Sequence, residues 1–285
     1  MTGLGHEPDP ATGDAEHQAT VRLAQVLGAD LLTGFDATED HHEASRLYPG
    51  VVDPTVVGAA RLERSFTMRV SATRSVKRHA HLPFVELPPG DVGTASLTAV
   101  LRSRRSARTY GEGALQLREL GTLLDAAYGV TGAIPGTPQA LRSAPSGGAL
   151  YPLELYVACQ RVEGLDRALY HYDPLRQGLE LLRPLGTSEE SGDLTPYPEL
   201  VAGSAAFVVM TAMFWRSRFK YGPRAYRFTL LEAGHVAQNL LLAAEALSLA
   251  ATPVGGFFDR LVDEFVGVDG IYEASLYVLP VGRRA

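Results

Sequence analysis

Apolar residues recur along this chain in two rhythms. Leu117, Leu120, Leu123, Leu124, Ala127 and Tyr128 repeat every third or fourth position, which lines one face of a helix. Shorter helical patterns occupy 19–33 (Val21, Ala24, Leu27, Leu31), 96–104 and 259–267. The stretch 228–250 is apolar nearly all round, so it predicts a long helix buried in the core or at a subunit interface. Between these lie compact apolar runs at 153–159 (LELYVAC), 168–172 (ALYHY) and 206–213 (AFVVMTAM), and a last run SLYVLPVG, each of strand length.

The order of the elements predicts an α+β fold. Regular structure starts near Ser96, so 96–285 reads as the main domain. Residues 1–95 read as an extension, with 1–18 disordered and 34–95 irregular and wrapped on the main body. Prolines at 49, 54, 83, 88 and 89 and too few periodic apolar positions argue against a second core there.

Composition narrows the class. At 285 residues and 46% apolar content, the chain can bury enough surface to fold without disulfides. Cys159 is the sole cysteine and sits among apolar residues, a packed thiol that suits a reducing cytoplasm. A formal charge of −6 argues against nucleic acid as the main partner. The N-terminal stretch is acidic and polar, opposite to a signal peptide, and 229–251 carries Glu232, His235, Gln238, Asn239 and Glu245, too many polar groups for a membrane span. Only Lys77 and Lys220 are lysines, so each merits attention.

Three strings offer chemistry. Arg104, Arg105, Ser106 and Arg108 place three guanidiniums and a hydroxyl within five residues, a set able to hold a phosphate and a polyol, although a solvated helix end has the same composition. Gly147 and Gly148, after Pro145 and Ser146, let backbone approach a flat ligand, and Pro253, Val254, Gly255 and Gly256 form a second such segment. His41, His42, His79 and His81 gather no further ligands in sequence, so no metal site is expected. For Glu232 the Arg224 to Arg227 cluster is the expected partner.

In combination and order, the strings HHEASRLYP, RRSARTYGEG, SAPSGGALYPLELYV, FKYGPRAYRFTLLEAGHVAQNLLLAAEALSLA, PVGGFFD and LYVLPVGR resemble the nitroreductase-like FMN flavoproteins. Within them they resemble the SagB-type dehydrogenases, azoline oxidases of thiazole and oxazole formation. That resemblance implies a mixed central sheet flanked by helices, with FMN at a homodimer interface. It implies that Arg104, Arg105, Ser106, Arg108 and Arg283 hold the FMN phosphate and ribityl chain. Pro145, Ser146 and Gly147 would cover the isoalloxazine from the partner subunit. Pro253, Val254, Gly255 and Gly256 would line it, with Gly255 and Gly256 placing a backbone N–H near N5, and Gln238 would pass beside it.

Lys220 and Tyr221 match the family's Lys-Tyr pair, which the resemblance implies is catalytic. Aromatising an azoline removes the ring Cα proton and a hydride, so a base must face the flavin across the substrate. Either residue can fill that role. The expected substrate is an azoline-containing peptide or carrier-bound intermediate, and the cyclodehydratase is expected to be a separate protein. Two other readings share these features: an NAD(P)H-dependent reductase of nitro compounds, quinones or enones, and a non-catalytic scaffold subunit.

Overall fold

The structure is a computed structural model, and it describes residues 37–47, 76–137 and 139–285. The helix expected at 19–33 and the disorder expected over 1–18 lie outside them. The chain divides into two units, residues 1–46 and 47–285. In the first, helix α1 (Ala37–Ala44) ends with the Ser45 hydroxyl donating to the His41 carbonyl at 2.6 Å.

The second unit is built on a seven-stranded sheet. Its strands are β1 (Phe84–Glu86), β4 (Leu153–Cys159), β5 (Ala168–Asp173), β6 (Gly178–Pro184), β7 (Ala206–Ala212), β8 (Leu249–Ala251) and β9 (Ala274–Arg283), in the spatial order β1-β6-β5-β4-β7-β9-β8. A separate hairpin joins β2 (Val130–Ala133) to β3 (Ala140–Arg142). All pairings in the main sheet are antiparallel, where a mixed sheet was expected. The links β4–β5 and β5–β6 are too short for the dozen or so residues that a parallel crossover takes. β1 lies in the segment read as an extension and supplies the edge strand beside β6.

Among the described residues the unit also holds helices α2 (Leu97–Ser103), α3 (Leu117–Tyr128), α4 (Ser188–Gly192), α5 (Pro198–Ala202), α6 (Trp215–Tyr221), α7 (Arg224–Ala246) and α8 (Asp259–Val266). α3 starts with a reciprocal cap between Gln116 and Glu119. Its apolar stripe enters the core with α7 and with Leu153, Leu155, Val157 and Cys159 of β4. Leu123 and Leu124 are fully buried, so truncating either to alanine would destabilise by about 2–5 kcal/mol. The other sheet face packs Tyr156, Ala158, Phe207, Val209 and Val278 against Val201 of α5 and Val262 of α8. β4 thus reads as one apolar run because both its faces are covered.

The long helix starts and ends four residues earlier than its apolar pattern predicts. Ser248 takes a left-handed φ of 59°, turning the chain so that Leu249–Ala251 pairs with β9. Cys159 is buried, which pushes its thiol above the usual range. Among the described residues, no helix is long and apolar enough to cross a membrane.

Candidate functional site

The arginine string runs off the end of α2, where the Arg104 N–H still bonds the Val100 carbonyl. It is then tied to β8 and the residue after it. The Ala107 N–H donates to the Ala251 carbonyl at 3.1 Å, and the Thr252 hydroxyl donates to the Ala107 carbonyl at 2.8 Å. These bonds bring Arg108 beside Thr252, Pro253, Val254, Gly255 and Gly256 in a cleft of about 590 Å³, whose far wall is Tyr197, Pro198, Glu199 and Leu200. A Cβ on Gly255 or Gly256 would meet nothing closer than 3.8 Å, so neighbours in this chain do not require glycine there. Two exposed glycines beside an exposed arginine fit a flat, phosphate-bearing ligand such as FMN.

Other members of that string differ. The Arg105 Nη1 donates to the carbonyls of Arg102 and Arg104, while Arg104 and Ser106 are half-buried. Arg283 is committed elsewhere: its two terminal nitrogens grip both Glu119 oxygens at 2.7 and 2.8 Å, and its Nε donates to the Ala114 carbonyl. That fork holds the C-terminal strand to the start of α3. Gln238 is exposed on α7 and does not line the cleft.

A second cluster forms at the other end of α7. Lys220 and Tyr221 close α6, just before Gly222 takes a φ of 55° and α7 begins. The Lys220 ammonium stands 5.2 Å from the Tyr221 ring centre, and that ring meets Phe228 edge-on at 5.0 Å. Both lie against Gly147 and Gly148. A Cβ on Gly148 would come within 2.6 Å of the Lys220 Nζ and 2.7 Å of the Tyr221 hydroxyl. Lys220, Tyr221, Ser146 and Gly147 therefore share one place, with Pro145 exposed beside it. The arginine string is not part of it. Arg104 neighbours Glu245 in the last turn of α7, about 30 Å along the helix at 1.5 Å per residue.

The profile of the Nitroreductase family matches residues 101–283, well over half the chain. This chain belongs to the nitroreductase family. It is 34% identical over 200 residues to a Methanocaldococcus jannaschii protein named as a nitroreductase, MJ1384, covering 70% of this chain and 96% of that one. It is 31% identical over 170 residues to the microcin B17-processing protein McbC of Escherichia coli, covering 58% of this chain and 61% of McbC. It is 30% identical over 155 residues to the trifolitoxin-processing protein TfxB of Rhizobium leguminosarum bv. trifolii, covering 52% of this chain and 41% of TfxB. Among solved structures, a chain of the Escherichia coli McbBCD microcin synthetase complex with truncated pro-MccB17 bound superposes with a TM-score of 0.55 at 26% identity, covering 86% of each chain. An Anabaena variabilis protein described as a nitroreductase gives 0.62 at 31%, covering 72% of this chain and 42% of that longer one.

Two polar clusters in this nitroreductase fold escaped the sequence reading. Glu232, inside α7, accepts the Tyr128 hydroxyl at 2.6 Å and also hydrogen-bonds Ser146. Its bonds thus go to Tyr128 and Ser146 rather than to the nearby arginines, because its position on the helix buries it against α3 and the turn. Burial lifts its carboxyl to about 7, against Ser146, Tyr128 and Arg142, which favour the charged form. A glutamate interrupting an apolar helix was the available signal.

The second cluster lies on the sheet face beyond Tyr156. His171 is fully buried between Glu154 at 2.9 Å and Glu180 at 3.0 Å. Burial alone would lower its pKa, but bonds to the two carboxylates and their charges raise it to about 9. Lys77 spans the network: its ammonium donates to the Tyr156 hydroxyl and to Glu273, both at 2.7 Å, and its N–H donates to Glu154 at 2.8 Å. Arg216 of α6 also pairs with Glu154, and Arg176 with Asp173 and Glu180. His79, His171 and Glu180 come close enough to resemble a metal triad, without His81. Yet four carboxylates here already face Lys77, Arg176, Arg216 and a protonated His171, so the network supplies its own countercharge.

Proposed function

We propose that this protein is an FMN-dependent dehydrogenase that oxidises thiazoline or oxazoline rings of a peptide to thiazole or oxazole, with O2 as terminal oxidant. The observation that carries the reading is the contact of Lys220 and Tyr221 with Gly148, a general-base pair set against bare backbone. Two relatives are named for processing microcin B17 and trifolitoxin, which supports a peptide substrate. The complex containing the solved relative supports a separate partner enzyme, a cyclodehydratase in this reading.

In this reading Arg108, with Arg104, Arg105 and Ser106, holds the FMN phosphate and ribityl chain, and 253–256 lines the ring. When bound, FMN supplies a two-electron acceptor for the hydride and returns both electrons to O2. Lys220 or Tyr221 takes the proton from the ring Cα. The net change is loss of one proton and one hydride from the azoline, balanced by reduction of O2 to H2O2.

Arg104 beside the last turn of α7 and the pair Lys220 and Tyr221 before its first lie about 30 Å apart along the helix, and in this reading a homodimer completes the site. One protomer brings the Arg108 cleft; its partner brings the turn that starts at Pro145 and the pair Lys220 and Tyr221. The outer stripe of α7 suits that contact: Leu230 and Leu231 are 43% and 61% exposed, and Gly234, His235 and Gln238 continue the same side.

The test is anaerobic mixing of the yellow holoprotein with an azoline-containing peptide and, separately, with NADPH. Bleaching by the peptide in wild type and its loss in Lys220→Ala support the dehydrogenase. Bleaching by NADPH alone, indifferent to Lys220→Ala, supports a reductase such as the name of MJ1384 describes. Purified protein that takes up no FMN leaves the scaffold reading.

A further inference from the structure

The turn that carries Gly148 is strained and tied down from below. Gly148, Ala149 and Tyr151 all take left-handed φ values, of 66°, 50° and 47°. Only the first is a glycine, so the other two persist because their surroundings over-determine them. The Tyr151 N–H donates to the Ser146 Oγ at 2.9 Å, which closes the turn across its base. Gln139 Nε2 donates to the Ala149 carbonyl at 2.6 Å, and the Tyr151 hydroxyl accepts from the Arg142 N–H at 2.9 Å. Ser146 in turn hydrogen-bonds Glu232, which is 2% exposed and also receives the Tyr128 hydroxyl.

We propose that Glu232 is a positioning residue: through Ser146 it holds the turn 146–151 on its left-handed path, and so fixes the Gly148 backbone against Lys220 and Tyr221. The proposal rests on the reading of those two residues as the proton-accepting pair. A leucine at 232 would satisfy an apolar helix face. A carboxylate there accepts two hydroxyl donors, one from α3 and one from the turn, and links the core to the site. The groups facing it are Tyr128 from α3, Arg142 from β3, and Ser146 and Tyr151 from the turn. Arg142 stacks over both the Tyr128 and Tyr151 rings, at 4.2 and 4.6 Å, so it steadies the same assembly. Ionised Glu232 accepts from both hydroxyls, and protonation leaves the Ser146 tie weaker. Its carboxyl titrates at about 7, which places that loosening close to neutral pH.

The test is amide hydrogen exchange of the full-length holoprotein, followed in the peptide that contains Tyr151, for wild type, Ser146→Ala, Glu232→Gln and Glu232→Ala, alongside thermal melts. Loss of a charge-assisted bond predicts exchange at this turn about tenfold faster in Ser146→Ala and Glu232→Ala, with partial rescue in Glu232→Gln. With azoline peptide, kcat falls in the same order while KM stays within about threefold. Exchange unchanged at the turn overturns the proposal, and so does exchange that rises equally in β4, β7 and the turn. Should Glu232→Ala fail to fold, Glu232→Gln and Tyr128→Phe carry the same readout. If wild-type protein oxidises no azoline, the proposed reaction fails, while exchange still decides whether Glu232 holds the turn.

Discussion

Gly148 and Lys220 stand so close that a methyl group on the glycine would lie 2.6 Å from the lysine's Nζ. The same methyl would meet the Tyr221 hydroxyl at 2.7 Å, on a residue whose φ is 66°. A lysine tip can swing aside, so the fold tolerates the intrusion better than the site does. Gly148→Ala should lower stability by about 1–2 kcal/mol, from its left-handed φ. It should lower azoline turnover by about a hundredfold, since a displacement near 1 Å has that effect on a positioned base. A melt and a steady-state assay on one preparation separate the two.

The two candidate phosphate ligands Arg108 and Arg283, though close in the fold, should behave differently. Arg108 is exposed in the cleft, whereas Arg283 spends its fork on Glu119. Arg108→Ala should weaken FMN binding by about tenfold or more, the loss of a charge-assisted bond. Arg283→Lys should leave FMN affinity within about threefold and lower stability by about 1 kcal/mol, a partly exposed pair being screened by solvent. Flavin fluorescence titration and urea unfolding distinguish them; weak FMN binding in Arg283→Lys would return that residue to the phosphate.

The buried His171 predicts an alkaline limb in the stability profile. Its pKa is raised from 6.5 to about 9. The stability it contributes is therefore complete below pH 6.5 and lost as pH rises through 9. Glu154 works in the opposite range. Burial opposes its charge, but Arg216 and His171 hold it down to about 2, so its contribution is present above pH 4.5 and lost towards pH 2. His171→Gln should be most destabilised at pH 6, with its deficit to wild type shrinking by about 3 kcal/mol by pH 9.5. Urea melts across that range give the answer.

Glu232 should tilt the profile the other way from an ordinary surface carboxylate. Its folded-state pKa is raised from 4.5 to about 7, so the folded protein holds this proton more tightly than the unfolded chain. Stability then falls as pH rises from 4.5 to 7, by an amount on the order of 3 kcal/mol from this group. Glu232→Gln should lack that slope, and parallel wild-type and variant curves over this window would show that the carboxyl is already ionised at pH 5.

Helices α3 and α8 were legible from the period of their buried residues, and strands β4, β5, β7 and the C-terminal strand as compact apolar runs, because both faces of β4, β5 and β7 are covered. β6 was not, since its Glu180 faces the same buried face as His171 and breaks the apolar alternation. β8 was absorbed into the preceding helix because its three residues, Leu249–Ala251, continue that helix's apolar run. The lysine count drew attention to Lys77 and Lys220, and the structure gives them opposite settings: one inside a carboxylate network, the other at a glycine turn.

Local order along the chain determined the nitroreductase fold and the candidate residues, since periodicity and short motifs are properties of neighbouring positions. Only the tertiary structure decided which of those residues meet. It joined Lys220 to Gly148, seventy-odd positions apart, committed Arg283 to Glu119, and turned Glu232 inward to Tyr128 rather than to the arginines beside it. Such pairings follow from how sheet and helices pack. A side chain's partner is set by the face on which it is buried, and a buried polar group must find its bond there, whatever stands next to it in sequence.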